Sequence, residues 1–263
     1  MARAQDILNY MREVGTWVNW EHTVDRVIVG SAEAEVQRAA VAWIPSREAL
    51  KGAVELGCQL FVTHEPTLYS HTNELDSIDK WPGAPEKKKF IEDNGLTILR
   101  CHDTWDNMPD VGIPWSWAAF LGIEGQPSAS RPYMSVYPVP ATTLDELARR
   151  VAARTAVIGE PSVQVAGDPK LRVEHLGIGT GCACFPVAYR EMGADAGIVC
   201  DDGTSYWQAI QWAADQGFGI IRVNHGTSEE PGVAAMARHF AKKFPDVTFH
   251  HIPQGCRFRL VGV

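Results

Sequence analysis

Short apolar runs alternate along the chain with stretches of helical period, and several of the runs stop abruptly on polar residues able to hold a metal. The clearest case is LFVTHEPTLYSH at residues 60–71, in which Leu60, Phe61, Val62 and Thr63 read as a short buried strand. Pro66 lacks an N–H and forbids its continuation, so His64 and Glu65 sit at a strand end. The same ending recurs at residues 97–106, which close on His102, Asp103 and Asp106, and at 219–229, which close on His225 and Glu229. In a mostly parallel sheet such ends gather along one edge, where crevices form and ligands bind. The pattern therefore predicts three strands that deliver imidazoles and carboxylates to one place.

Around these strands the remaining periodicities predict a regular alternation. The charged amino terminus reads as an amphipathic helix with Ile7, Leu8, Met11, Val14 and Val18 on one side. Residues 24–29 and 36–43 read as strands, and Ser46 caps a helix that runs to about Leu56 and ends at Gly57. The polar stretch 70–85, with Pro82, Gly83 and Pro85, reads as a loop leaving the strand end. A helix over 86–94 and a strand over 96–100 follow, and 109–125 holds a short aromatic-rich helix. Residues 125–132 are rich in turn formers and mark a boundary between an N-terminal α/β lobe (1–125) and a C-terminal one (126–263). The last helix and strands are expected to be able to return to the first lobe. Beyond the boundary the pattern predicts strands at 133–139, 162–166, 173–178, 197–200, 218–223, 247–250 and 257–261, and helices at 143–153, up to 192, 205–215 and 231–243. The class is α/β, with helices covering both faces of the sheets.

Composition narrows the function. The 263 residues, 45% hydrophobic and 21% charged, suit one large or two modest domains with a sizeable core. A net charge of -8 argues against a broad nucleic-acid surface, and the only basic run, Lys87-Lys88-Lys89, reads as a solvated helix face. No apolar run approaches the ~20 residues of a membrane span, and the amino terminus is not a signal peptide. Six cysteines without a secretory segment indicate reduced thiols and a cytoplasmic protein.

His225 and Glu229 stand four apart, the separation that puts two side chains on one helical face, and Pro231 suits the first turn of the helix after them. His102 and Asp106 have the same offset, and His64 and Glu65 are adjacent. An oxygen-rich set with imidazoles suits Zn, Fe or Mn, and the chain lacks the spaced cysteine pairs of a structural zinc knuckle. Gly177, Gly179 and Gly181 follow a strand, but Cys182 stands where a dinucleotide-binding turn needs its last glycine, so no nucleotide cofactor is expected. Cys182 and Cys184 read as small fillers, Asp201-Asp202-Gly203 as a helix-entry turn bordering the crevice, and His250-His251 as structural.

In this order the motifs resemble the NGG-one-interacting-factor-three-like family, also called dinuclear metal-centre hexameric proteins and GTP cyclohydrolase I type 2 homologues. That family has one strand ending in Thr-His-His-Pro, another ending in His-Thr-Asn-Leu-Asp, and a late strand followed by Gly-His-x-x-x-Glu. Here they stand as Thr63-His64-Glu65-Pro66, as His102 to Asp106, and as His225 to Glu229. The resemblance implies two related α/β lobes with mixed sheets, a metal cleft between them, two divalent ions per subunit and a homohexamer. It makes His64, Asp106, His225 and Glu229 metal ligands. Glu65 replaces a family histidine; it is counted as a ligand that favours harder ions, and failing that is the leading general base. His102 matches a position behind the ligands that orients Asp106 or reaches substrate, and with Glu65 it is a candidate catalytic residue. The implied function is a metal-dependent hydrolase acting on a small polar or nucleotide-like molecule. The alternative is a non-catalytic metal-binding or regulatory scaffold.

Overall fold

The computed structural model describes residues 1–72 and 74–261. In chain order the elements are β1 (Ala2–Arg3), α1 (Ala4–Val14), β2 (Val27–Val29), β3 (Glu35–Val36), β4 (Arg38–Ala42), α2 (Arg47–Glu55), β5 (Leu60–Thr63), α3 (Ala84–Asp93), β6 (Thr97–Arg100), α4 (Asp103–Asp106) and α5 (Ile113–Phe120). There follow β7 (Ala129–Arg131), β8 (Met134–Thr143), α6 (Leu144–Thr155), β9 (Gln164–Ala166), β10 (Arg172–Gly179), α7 (Pro186–Glu191), β11 (Ala196–Cys200), α8 (Gln211–Asp215), β12 (Gly219–Val223), α9 (His225–Lys243) and β13 (Thr248–His251). The fold is mixed α/β, built as two compact units: Met1–Gly112 with Val233–Pro253, and Ile113–Gly232 with the chain from Gln254 onward.

The first unit is organised on a sheet of order β13-β4-β5-β6-β2, in which β2 alone is antiparallel to its neighbour. Both faces of the inner strands are buried, which is why they read as continuous apolar runs. On one face Ala40, Phe61 and Ile98 pack against Leu50 and Ala53 of α2 and Ile91 of α3. Val41, Val62 and Leu99, of opposite parity, are equally buried. Burying a side chain such as Phe61 or Leu50 contributes about 2 kcal/mol. Ser46 caps α2 as expected, its Oγ accepting the Ala49 N–H at 3.1 Å.

Four expectations in this unit need correction. Val18 lies past the end of α1, which stops at Val14. The strand read over 36–43 is broken into β3 and β4 at Gln37, where the Gln59 side-chain oxygen accepts the N–H groups of both Gln37 and Arg38. Lys87 is not on a solvated face: it is 1% exposed, and its Nζ donates to the Thr67 carbonyl at 2.6 Å. It also lies 4.6 Å from the centre of the Tyr69 ring. Finally, the loop read over 70–85 is interrupted by a 3-10 turn at Ile78–Lys80.

The second unit holds a sheet of order β7-β8-β10-β11-β12-β9, with β10, β11 and β12 parallel and the flanking pairs antiparallel. Leu144, Leu147 and Val151 of α6 and Trp117 of α5 cover one face, while Tyr189 of α7 and Ala213 of α8 belong to the core of the other. Thr143 caps α6 in a reciprocal pair with Glu146. Tyr189 explains Gly177 on β10, the first of the glycines at 177, 179 and 181, and Gly197 on β11. A Cβ on Gly177 or Gly197 would come within 2.5 Å of its ring, so those positions are left empty for an aromatic packed flat on the strands.

Here too the structure revises the chain reading. Residues 125–132 include β7 instead of forming a plain linker, and residues 257–261 make no strand. The helix expected from Ser205 opens with a wider turn at Tyr206–Ile210 before α8. The last helix begins at His225, leaving Pro231 inside it. No described helix is long and apolar enough to cross a membrane.

Candidate metal centre

In the first unit, parallel register brings two strand ends to the same level. Thr63 of β5 pairs with Arg100 of β6, so His64 and His102 leave the sheet side by side. Their rings stack with centroids 4.6 Å apart and an angle of 9° between planes. His64 is fully buried and Asp106 nearly so. The His64 Nδ1 lies 3.2 Å from the Cys101 carbonyl, which can only accept, so Nδ1 carries the proton. In the neutral ring Nε2 is then a lone pair, and it faces Asp106 Oδ1 at 3.4 Å. An imidazole lone pair and a carboxylate turned toward one another in a buried place call for a cation or a proton between them. One ligand atom from each of His64, His102 and Asp106 falls within a 4.8 Å span, the compactness a metal ion requires.

His102 donates from Nδ1 to Asp103 Oδ1 at 2.9 Å and lies 3.2 Å from Asp106 Oδ2, while its Nε2 is 3.8 Å from Glu65 Oε1. Burial opposes a charge on this ring, but the Asp106 and Asp103 carboxylates outweigh it and raise the pKa. Asp103 is correspondingly held down to about 2, its burial overcome by hydrogen bonds from His102 and Thr23. Glu65 has Oε2 3.5 Å from the buried Arg100 guanidinium, and one of its carboxylate oxygens lies within 4.8 Å of a His64 ring nitrogen.

Two side chains that sequence reading passed over hold this cluster in place. The Asp25 carboxylate accepts the N–H groups of His102, Asp103 and Thr104 at 2.6, 3.0 and 2.7 Å and the Thr104 hydroxyl at 2.6 Å. It therefore caps α4 and orients His102 and Asp106. Burial raises its pKa, against the pull of those hydrogen bonds. Arg100, fully buried, donates from Nε to the His64 carbonyl at 3.2 Å and from its two terminal nitrogens to the carbonyl and ring Nδ1 of His71, at 2.6 and 3.1 Å. It also lies 3.5 Å from Glu74. Burial, followed by the Arg100 charge, lowers the pKa of His71.

The second unit repeats the device. Cys200 of β11 pairs with Val223 of β12, so Asp201 and Asn224 leave the sheet together. Asp201 accepts the His225 N–H at 2.6 Å and the Asn224 amide at 3.0 Å. That cap starts α9 six residues before Pro231, which is why the proline did not mark the helix start. His225 and Glu229 lie on one helical face with Nε2 and Oε1 2.9 Å apart, and Asp202 Oδ2 is 3.3 Å from the His225 Nδ1. Burial disfavours the charged His225, but Glu229 and Asp202 override it and push its pKa up strongly. Gly181, at φ +59°, passes so close that a Cβ there would meet both Glu229 Oε1 and His225 Nε2 at 3.3 Å. Cys184 and Cys200 both donate to the Gly181 carbonyl and fasten this turn.

Residues 2–254 match the family described as Duf34/NIF3 (NGG1p interacting factor 3). The chain belongs to this family. A Streptomyces coelicolor protein named GTP cyclohydrolase 1 type 2 homolog is 29% identical over 188 residues, 66% of this chain. That match spans 63% of the relative's own length. A Clostridium perfringens protein of the same name is 24% identical over 87% of each chain. Among solved structures, the Staphylococcus aureus hypothetical protein SA1388 superposes with a TM-score of 0.80 at 15% identity, covering 98% of this chain and 99% of its own. A Bacillus cereus protein related to NIF3 gives 0.80 at 12%, covering 99% of both. These likenesses establish the fold.

Of the residues singled out from sequence, His64, Glu65, His102 and Asp106 are brought together in the first unit, and His225 and Glu229 in the second. The supporting Asp25, His71 and Arg100 left no local signal. Asp25 follows Val24 at the start of a stretch read as a strand, and Arg100 is the last residue of an otherwise apolar strand.

Proposed function

We propose that the protein holds two divalent metal ions, of Zn, Fe or Mn type, and uses them as a metal-dependent hydrolase on a small polar or nucleotide-like substrate. The ligands are His64, Glu65 and Asp106 from the first unit and His225 and Glu229 from the second. The observation that carries this reading is the buried His64 Nε2 facing Asp106 Oδ1, with the His64 tautomer set by the Cys101 carbonyl. Family membership and the GTP cyclohydrolase 1 type 2 homolog name of the relatives support it. Bound metal in such a site lowers the pKa of water and stabilises developing negative charge. The chain's own residues hold the geometry. Asp25 and Asp201 fix the first turns of α4 and α9, Arg100 leans on Glu65, and His102, between Asp106 and Glu65, is placed to hold and move a proton at Nε2.

A non-catalytic metal-binding role draws on a different observation: Glu65, the candidate base, is already engaged by the buried Arg100. Purified protein should contain metal, and screening it against phosphoesters, nucleotides and cyclic amides should reveal turnover that chelation abolishes. Metal content without such turnover would favour the scaffold, and metal-free protein that stays metal-free in excess Zn and Mn would reject both. The assembly proposed with this reading is the hexamer, for which light scattering should give a mass several-fold above 29.0 kDa.

A further inference from the structure

The stretch that leaves β5 after Pro66 carries His71, an exposed residue that neither the family motifs nor the ligand set includes. Three facts define what its ring can do. Arg100 donates to the His71 carbonyl and to its Nδ1, so the ring is held from two sides by a fully buried group. A guanidinium has no lone pair to offer, so Nδ1 must be the acceptor. The neutral ring then carries its proton on Nε2, and among the described residues that Nε2–H donates to no protein group.

The placement of the ring decides what it meets. It lies edge-on to His102 with centroids 5.0 Å apart. One of its nitrogens is within 4.8 Å of a ring nitrogen of His102 and a carboxylate oxygen of Glu65. No hydrogen bond joins the His71 ring to either group, and a single oxygen atom about 2.8 Å from each of two such groups fits a span of up to 4.8 Å. As a metal ligand His71 is a poor choice, since its coordinating position would have to shed the proton that the Arg100 contact keeps there. As a fixed hydrogen-bond donor it is well built.

We propose that His71 is a ligand-binding residue, donating its Nε2–H to an anionic oxygen of a substrate held beside Glu65 and His102. The substrate class is one that carries or develops an oxyanion, such as a phosphoester. Arg100 acts through His71 as a positioning residue, and its own guanidinium is too buried to meet the substrate. This rests on the metal-hydrolase reading for the identity of the site, but its first test does not.

In metal-free protein labelled with 15N-histidine, two-bond 1H–15N correlations should show the His71 ring protonated on Nε2 and bare on Nδ1, with the signal assigned by its loss in His71→Gln. A ring protonated on Nδ1 overturns the proposal. In zinc-loaded protein, calorimetric titration with inorganic phosphate should show binding weakened about tenfold by His71→Phe, the factor that a lost hydrogen bond to a charged group commonly carries. His71→Gln, which keeps an N–H donor, should stay within about threefold of the wild type. Zinc content should be unchanged in both variants. Equal phosphate affinity in His71→Phe, or loss of zinc from it, would overturn the assignment. Failure of the wild type to take up zinc would reject the metal reading alone, because the tautomer is read without metal.

Discussion

At the scale of single residues, the chemistry rests on side chains whose geometry is imposed by neighbours distant in sequence. Asp25 accepts three backbone N–H groups around His102, and an amide in its place would turn a donor toward some of them. Asp25→Asn should therefore cost about 2–3 kcal/mol in urea unfolding, as expected for hydrogen bonds to a buried charge, and should weaken metal binding. Full stability with full metal content would show that Asp25 is dispensable as a cap. Glu65 lies beside Arg100 and His102 while His64 faces Asp106, and the proposed ligand set assigns Glu65 to one ion only. Elemental analysis of dialysed Glu65→Ala should give roughly half the wild-type metal, the remainder firmly bound. Undiminished metal would leave Glu65 as a candidate base. The candidates His64, Glu65, His102 and Asp106 were legible because each follows a strand end marked by a change from apolar to polar. Asp25, His71 and Arg100 were not, because their roles come from contacts across 29 to 79 residues of chain that no local pattern encodes.

At the scale of elements, α3 is anchored to the segment after β5 by one buried cation. Burial lowers the pKa of Lys87 to about 8, with Glu74 opposing the shift and Arg47 adding to it. The unfolded chain then binds this proton more tightly than the folded one, so the Lys87 contribution to stability rises with pH between about 8 and about 10.5. Unfolding free energies of wild type and Lys87→Met, compared at pH 7 and pH 10, should move in favour of the wild type by about 2 kcal/mol. A pH-independent difference would place Lys87 in a more solvated setting than its contacts indicate. The start of α9 is also an element-scale matter. Proline in a helix interior usually marks a boundary, yet the Asp201 cap carries the helix past it from His225. Asp201→Ala should fray that turn at a cost of about 1–2 kcal/mol and separate His225 from Glu229. Unfolding midpoints, with the ring signals of His225 by NMR, check both parts.

At the scale of the whole molecule, each unit buries enough apolar surface on both faces of its sheet to fold without help from an ion. Chelation should leave the far-ultraviolet circular dichroism unchanged, in contrast to small domains whose metal supplies most of the folding energy. Collapse of the helical signal on metal removal would contradict this. The α/β class and most strand positions were determined by sequence alone, because fully buried parallel strands must be apolar on both faces and their ends must turn polar. Sequence also determined the spacing of His102 with Asp106 and of His225 with Glu229, since those offsets are local. Tertiary structure decided the rest: that parallel register sets His64 against His102, that Arg100 chooses the tautomer of His71, and that Asp25 and Asp201 begin the helices bearing the metal-capable residues. Those are relations between segments far apart in the chain, and they exist only once burial has made a hydrogen-bond partner obligatory for every polar group brought inside.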